Sequence, residues 1–256
     1  IRNRTNGEIY LGVVGPVRTG KSTFIKRFME LMVLPFMEGE AEKERAMDEL
    51  PQAAAGKTIM TTEPKFIPQQ AAEIRLSDFK TEEEPLKLRV RLIDCVGFLA
   101  DGAVGHMEGN GSRMVKTPWS DQEIPFAEAA SIGTEKVIRD HATIGIGELA
   151  RENYINAEER TVQELKNIGK PFVILLNSAK PYAQETIKLA SEMEKKYQTT
   201  AVPVNCEQLR KDDIVRILEN ILCEFPVTRV EYFKSYGAHE RRLPAAVRTG
   251  RLHFKD

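Results

Sequence analysis

The sequence predicts an α/β fold of three layers, with a mostly parallel sheet and helices on both faces. Short apolar runs alternate with amphipathic segments along the 256 residues, as expected of strands that alternate with helices. A glycine-rich loop stands between the first predicted strand and the first helix, and a later strand ends in a carboxylate followed by a glycine. Such features favour a ligand site at the carboxyl ends of the strands.

The first strand, loop and helix are the most informative segment. Residues 9–14 are typical of a buried parallel strand, a helix begins at Ser22, and residues 15–22 between them match G-x-x-x-x-G-K-[ST]. In this motif backbone N–H groups and the positive end of the helix bind phosphates, the lysine contacts the outer phosphates and the serine hydroxyl holds Mg²⁺. The motif predicts a P-loop NTPase. The expected ligand-binding residues here are Gly15, Arg18, Thr19, Gly20, Lys21, Ser22 and Thr23.

The segment that follows, residues 56–68, comes after a mixed-charge stretch that is expected to be helical from 38 to 50. In GTPase-like domains this interval is the first switch, where a threonine hydroxyl caps Mg²⁺ and its N–H touches the γ-phosphate. Thr58, Thr61 and Thr62 are candidates, and we favour Thr61 or Thr62. These β-branched residues also suit the start of a strand, and both interpretations can hold together.

A second strand carries the next candidate site. Residues 88–94 alternate and end at Asp94, and Asp94 to Gly97 has the form D-x-x-G. The alternation predicts a strand near a sheet edge, antiparallel to its neighbour. Asp94 is then placed to hold Mg²⁺ or a metal-bound water, and the Gly97 N–H to meet the γ-phosphate.

Phe98 stands where many GTPases have a glutamine that orients the attacking water, so unaided turnover is expected to be slow. Arg18 and Lys57 are candidates in cis for stabilising the transition state, although each also fits a solvated or structural cation.

The strand at 170–177 leads to the predicted base-binding loop. Where guanine-specific proteins carry N-K-x-D, the chain has Asn177, Ser178, Ala179 and Lys180. A carboxylate at the fourth position accepts hydrogen bonds from guanine, whereas Lys180 can only donate. If the hydrogen-bond donors of guanine were left unpaired, the site would not bind guanine in preference to adenine. We therefore favour ATP over GTP, with Asn177 and Lys180 as base-site residues.

Composition excludes several other classes. Lys and Arg number 37 against 38 Asp and Glu, so the chain shows no electrostatic footprint for nucleic acid. No run of eighteen apolar residues and no secretory leader is evident, so we expect a cytoplasmic protein. The cysteines lack metal-site spacing and are expected to be small buried residues. Further helices are predicted at 124–141, 156–168, 186–197 and 211–225, and a strand at 200–205.

Several longer segments extend beyond generic motifs; these are residues 12–26, 48–52, 56–66, 117–119 and 124–126. On these segments, the chain resembles the stage IV sporulation protein A family, the spore-coat morphogenetic ATPases of endospore-forming bacteria, from about residue 4 to about residue 227.

The resemblance implies a GTPase-like (TRAFAC) ATPase that uses ATP and Mg²⁺ to polymerise with itself into the basement layer of the spore coat. It implies the mother-cell face of the forespore outer membrane as the location, a small amphipathic tether protein and other coat proteins as partners, and only indirect membrane contact. By motif, Lys21 is the Walker A lysine, Asp94 the Walker B aspartate, and Thr61 and Thr62 are the threonines needed for hydrolysis. The expected Mg²⁺ ligands are Ser22, Thr61 and Asp94.

The chain departs from the family pattern in two places, after Ile146 and beyond Val227. After Ile146 the family continues through a strand into a T-T-D-G-like turn, whereas here Gly147 follows at once. Either residues near 146–147 are deleted, or the numbering runs without a break across a disordered loop. We favour the second, because the missing strand would lie in the centre of the sheet and a true deletion would remove it. We therefore expect an ATPase domain at 1–226 and a basic C-terminal extension at 227–256, more consistent with a solvated end than with an anchor, and without the family's middle and C-terminal regions.

Three functions compete on this evidence: an ATPase whose turnover drives self-assembly, a GTPase-type switch acting on a client such as a ribosome, and a nucleotide-responsive scaffold without significant hydrolysis. Lys180 argues against the second, and Thr61, Thr62 and Asp94 argue against the third.

Overall fold

The strands and helices alternate along the part of the chain that this computed structural model describes, residues 8–37, 39–51, 63–81, 84–99, 106–108, 111–141, 144–148 and 155–224. The strands are β1 Glu8–Val14, β2 Lys65–Thr81, β3 Glu84–Asp94, β4 Met107–Glu108, β5 Gly111–Ser112, β6 Met114–Thr117, β7 Ser120–Pro125, β8 Ile144–Glu148, β9 Phe172–Asn177 and β10 Ala201–Val204. The helices are α1 Lys21–Phe28, α2 Glu40–Asp48, α3 Phe126–Lys136, α4 Ile155–Ile168, α5 Gln184–Tyr197 and α6 Lys211–Cys223. Among these described helices, none is long and apolar enough to cross a membrane.

The main sheet has six strands in the order β10-β9-β8-β1-β3-β2. β1 is parallel to β3 and β8, and β9 is parallel to β8 and β10. β2 runs antiparallel to β3 at one edge. The prediction of an α/β fold is confirmed, and the finer assignment to a three-layer, GTPase-like P-loop type stays a prediction.

Strand β3 alternates because its two sets of side chains meet different surroundings. Val90 and Leu92 are fully buried, whereas Arg89 and Arg91 pair with the Glu8 carboxylate of β1 at 3.1 and 3.6 Å. The expected position near a sheet edge is confirmed. The expected antiparallel pairing holds for β2 only, since β3 is parallel to β1 on its other side.

Helices cover both faces of this sheet. Along β9, Val173 and Leu175 lie in one apolar cluster, which includes residues of α1 and α6. The alternate residues Phe172, Ile174 and Leu176 lie in a second cluster with residues of α4 and α5. A strand that is buried on both faces explains why 172–176 is a continuous apolar run. Each such side chain contributes about 1.5–3 kcal/mol by leaving water.

The centre of the sheet contains β8, between β1 and β9. This strand passes through residues 146 and 147, where the family pattern predicts missing residues, and Gly147 lies opposite Val14 of β1 and Ile174 of β9. The central strand is therefore present. Whether loop residues are missing nearby, and where the domain ends, stay predictions, and residues 225–256 lie outside the described part.

The β10 edge of the sheet is protected against further strand pairing. The Val204 carbonyl accepts from the N–H of Ser178, the residue that follows β9. The N–H and carbonyl groups of the alternate residues Ala201 and Pro203 therefore face away from β9, towards the open edge. The Ala201 N–H is already bound to the Glu194 carboxylate at 3.1 Å, and proline has no N–H to offer. The edge thus lacks the donors that a pairing strand requires.

Two small hairpins, β4–β5 and β6–β7, lie between the D-x-x-G segment and α3. The sequence predicts either an ordered insertion or a mobile loop over 101–120. The described residues of this interval form antiparallel strands, and 101–105 and 109–110 lie outside the described part.

The cysteines divide into two kinds. Cys95 and Cys206 are buried, as expected, and burial raises the pKa of the Cys95 thiol to about 11. The same expectation is wrong for Cys223, which is exposed because it ends α6 at the protein surface.

Candidate functional site

The loop at residues 15–22 follows β1 at the point where the sheet winds in opposite directions. On one side of β1 lies β3, and on the other lies β8, which leads to β9 and β10. Parallel strands bring their carboxyl ends to the same edge, so the ends of β1, β3, β8 and β9 meet there. In open α/β sheets this crevice is where ligands bind.

The backbone of the loop is held in an uncommon conformation. Gly15, Arg18 and Gly20 all have positive φ, at 148°, 66° and 109°. A positive φ at the non-glycine Arg18, whose side chain is exposed, is rare in proteins. Gly20 precedes α1, and its carbonyl accepts the first helical bond from Phe24 at 2.9 Å. The N–H groups of the first helical turn therefore remain available to an anion.

Lys21 is a buried cation whose ammonium turns back into the loop. The side chain is only 4% exposed, and Nζ donates to the Pro16 carbonyl at 2.6 Å. The Thr19 hydroxyl donates to the same carbonyl at 2.9 Å. A lysine in this position can exchange one carbonyl for the oxygens of a phosphate without moving far.

Asp94 ends β3 beside the first turn of α1. The Ser22 hydroxyl donates to its Oδ2 at 3.3 Å. Its other oxygen, Oδ1, is buried and has no hydrogen-bond partner among the described residues. Burial raises the pKa of the Asp94 carboxyl, and the Lys21 ammonium and the Ser22 hydroxyl oppose that rise.

These groups fit a Mg²⁺ ion. The cation prefers oxygen ligands and is usually bound by one or two protein groups together with phosphates and water. The Ser22 hydroxyl and the carboxylate of Asp94, with its unpartnered Oδ1, supply such a pair. Within the described ranges, no cluster of three or more His, Cys, Asp or Glu side chains could hold a metal ion.

Gly97 and Phe98 join the D-x-x-G segment to the loop after β1. The Val17 N–H donates to the Phe98 carbonyl at 3.1 Å. Gly97 has φ of 93°, and a Cβ built there would lie 2.0 Å from the Gly15 carbonyl oxygen and 2.9 Å from the Lys21 ammonium. Only glycine allows this approach, so the Gly97 backbone lies directly against the loop at residues 15–22.

Asn177 ties three loops together. Its Nδ2 donates to the Thr19 carbonyl at 3.0 Å, and its Oδ1 accepts from the Cys206 N–H at 3.1 Å. The loops after β1, β9 and β10 therefore meet at one amide side chain. The Lys180 side chain is exposed nearby, in a segment closed by its N–H donating to the Ser178 hydroxyl at 3.1 Å.

The structure thus brings most of the expected site residues to one edge of the sheet. The loop residues, Asp94, Gly97 and Asn177 are placed together by the contacts above. Thr23 lies in the first turn of α1, partly buried. Thr61 and Thr62, the expected hydrolytic threonines, lie outside the described residues, as do Thr58 and Lys57.

Sequence reasoning missed two contacts of this site. Cys206 enters through its backbone N–H, which no side-chain pattern indicates. Arg160 of α4 places its guanidinium 4.5 Å from the Phe98 ring centroid, far away in sequence from every recognised motif. The phenylalanine after D-x-x-G was the only signal, because a large apolar residue there predicts burial against a neighbouring element.

Comparison with known proteins identifies the family. The family model described as the ATPase domain of stage IV sporulation protein A matches residues 1–226. The chain belongs to this family. Proteins named stage IV sporulation protein A from Bacillus subtilis (strain 168), Bacillus anthracis and Clostridioides difficile (strain 630) are 52%, 50% and 48% identical to it over 238 residues.

Membership of the stage IV sporulation protein A family confirms the resemblance stated from the motifs. Each match covers 90% of this chain and 47% of the relative, so the chain spans about half the length of these relatives. The sporulation and ATPase context of the sequence predictions is also confirmed.

Proposed function

We propose that the chain is a Mg²⁺-dependent ATPase with a three-layer, GTPase-like P-loop fold. The observation that carries this proposal is the convergence of Lys21, Asp94 and Gly97 on the loop after β1, at the switch point of the sheet. Mg²⁺, when bound, would offset the charge that develops during phosphoryl transfer.

Each residue of this site has a role that follows from its position. Lys21 would exchange the Pro16 carbonyl for the outer phosphates, and Ser22 with Asp94 would hold the metal. Gly97 lies directly against the loop at residues 15–22, and its N–H would, by the D-x-x-G motif, bind the γ-phosphate. Phe98, which is 1% exposed, cannot orient water, so basal turnover is slow.

Thr61 and Thr62 are proposed, from the sequence alone, to act on Mg²⁺ and on the γ-phosphate. The double change Thr61→Ala and Thr62→Ala is expected to retain ATP binding and to lower turnover strongly, because it removes hydroxyls used in hydrolysis. Phosphate release and ATP affinity are measured on the same sample. Retained turnover would assign the role to another residue, and lost binding would make the threonines part of the binding site.

ATP is favoured over GTP because Lys180 offers a donor where guanine needs an acceptor. Asn177 would hold the loops around the base site in place, since its amide binds both the Thr19 carbonyl and the Cys206 N–H. The alternative, a GTPase-type switch, would require guanine to be recognised without that carboxylate.

The base preference is tested by rebuilding N-K-x-D with Ser178→Lys and Lys180→Asp. Lys180 is exposed, whereas Ser178 is partly buried and its hydroxyl accepts from the Lys180 N–H at 3.1 Å, so the double change also removes that contact. The ratio of GTP to ATP affinity should rise towards the tenfold that corresponds to about 1.4 kcal/mol. The parent chain and the single change Ser178→Lys are the controls. A parent that already prefers GTP tenfold would make the GTPase switch the leading hypothesis, and a ratio that does not change would show that the base is not recognised here.

By family membership we further propose that turnover drives self-assembly into the basement layer of the spore coat. The same reasoning gives the mother-cell cytoplasm, at the surface of the forespore outer membrane, as the location. A small amphipathic tether protein and other coat proteins are the expected partners. The chain spans about half the length of the relatives that it matches.

A further inference from the structure

Phe98 directly follows the D-x-x-G segment and is buried. Its ring is fully buried in the apolar cluster that includes Val14, Val137 and Ala157. Its carbonyl holds the Val17 N–H of the phosphate-binding loop at 3.1 Å. The side chain and the backbone of one residue therefore connect the outer helices with the nucleotide-binding backbone.

Arg160 of α4 covers the Phe98 ring from the solvent side. The guanidinium carbon lies 4.5 Å from the ring centroid, within the range of a cation–π contact. Nη2 of the same guanidinium donates to the Glu135 carboxylate of α3 at 2.9 Å. About half of the Arg160 side chain remains exposed, at 49%. Arg160 thus joins α3, α4 and the D-x-x-G segment at one point.

This contact lies one residue from Gly97. Gly97 packs against the Gly15 carbonyl with no room for a methyl group, and the Phe98 carbonyl accepts from the Val17 N–H. The backbone of the loop at residues 15–22 is therefore held in part by the segment that the Phe98 ring anchors. A small displacement of a group that contacts the transferred phosphate costs turnover more than it costs binding.

We propose that Arg160 is a positioning residue for phosphoryl transfer, which fixes the Phe98 backbone against the loop at residues 15–22 by stacking on the Phe98 ring while Glu135 orients its guanidinium. The inference rests on the proposed ATPase function and deepens it. Arg160 acts through Phe98 and touches no substrate. Its role is to hold in cis a segment that in many GTPases carries a water-orienting glutamine.

The planar guanidinium is what the contact requires. Arginine stacks on an aromatic face and keeps donors free for a carboxylate, whereas the ammonium of lysine is a strongly hydrated point charge. Arg160→Lys keeps a cation near Glu135 but loses the stacked plane, and Arg160→Ala loses both. We expect the alanine variant to lower kcat by about threefold to fivefold, the factor that a contact of about 0.6–1 kcal/mol supplies, and the lysine variant to lie between alanine and wild type.

A matched control is the neighbouring residue on the same helix. Glu159 forms an ion pair of 2.8 Å with Lys196 of α5, and both side chains are about half exposed. Glu159→Gln therefore breaks an ion pair of similar exposure without touching the D-x-x-G segment. It reports any loss that follows only from weakening α4.

The test measures kcat and KM for ATP, the ATP dissociation constant and the melting temperature of wild type, Arg160→Ala, Arg160→Lys and Glu159→Gln. The inference predicts a lowered kcat for the two Arg160 variants, with ATP affinity within about twofold of wild type and melting temperatures close to that of the control. An unchanged kcat for Arg160→Ala overturns it, and so does an equal loss of kcat in Glu159→Gln or a loss that follows the melting temperature. A wild-type chain that binds ATP but releases no phosphate overturns the proposed function, and the inference with it.

Discussion

Replacing Gly97 with alanine tests the close approach of the two loops. The added Cβ would lie 2.0 Å from the Gly15 carbonyl oxygen, a distance that backbone atoms must relieve by moving apart. It would also lie 2.9 Å from the Lys21 ammonium, which can rotate away more easily. The change therefore separates the D-x-x-G segment from the phosphate-binding loop and alters the position of the Gly97 N–H.

The expected loss of stability has two parts. A non-glycine residue in the left-handed region costs about 1–2 kcal/mol, and the φ of Gly97 is 93°. Forcing a methyl group into a closely packed site costs about 1–3 kcal/mol more. The free energy of unfolding should therefore fall by about 2–5 kcal/mol in Gly97→Ala.

Gly169→Ala separates the two parts. Gly169 has φ of 64°, and a Cβ built there has no neighbour within 4 Å, so this variant pays only the backbone term of about 1–2 kcal/mol. Denaturant unfolding and ATP turnover are measured on both variants. Gly97→Ala should be the less stable and should lose turnover, while Gly169→Ala should keep it. Equal unfolding free energies, or full turnover in Gly97→Ala, would refute the close approach.

Two further changes test the base-side contacts and the pH dependence. Asn177→Asp replaces the donor to the Thr19 carbonyl with a carboxylate oxygen, and should lower ATP affinity and cost about 1–3 kcal/mol in denaturant unfolding; unchanged values would show that this contact does not hold the loops. Burial, followed by the hydrogen bond to Glu158, raises the pKa of Tyr197 to about 12 from an ordinary 10.0, so the stability it adds is present below pH 10 and is lost as pH rises through about 12. The difference in unfolding free energy between wild type and Tyr197→Phe should shrink over that window, and a constant difference would contradict the assignment.

Local pattern was enough where a short segment decides the structure. β1, the glycine loop and α1 are contiguous, so their order in the sequence is also their order in space. The continuous apolar run at 172–176 likewise indicates burial on both faces, which the two clusters around β9 confirm. These elements were predicted within two residues of their bounds.

Contacts between distant segments could not be predicted in this way. Asn177 binds the Thr19 carbonyl across 158 residues, and the Cys206 N–H binds the same amide. The sequence predicted that Asn177 contacts the nucleotide base, whereas in the structure both ends of its amide are bound to the protein. Arg160 has no motif around it, and its role appears only once α4 is seen beside Phe98.

β2 shows a different limit. The described strand begins at Lys65 and shifts register after Ile67 and after Leu76, while residues 59–62, where the sequence allows a strand to start, lie outside the described residues. At the first shift, the Gln69 N–H donates to the carboxylate of Glu49, the residue that follows α2, at 2.9 Å. Residue propensity does not encode such shifts.

Phosphate release from ATP and from GTP, measured in parallel, tests most directly whether this site binds and hydrolyses ATP. Release is measured with Mg²⁺ present and after its removal by chelation, the same samples are sedimented, and Lys21→Ala is the control. We expect slow, Mg²⁺-dependent release from ATP in preference to GTP and a sedimenting species that requires ATP, and we expect neither in Lys21→Ala, which loses the buried cation of the loop. Phosphate release that persists in Lys21→Ala, or a tenfold preference for GTP, would contradict this expectation.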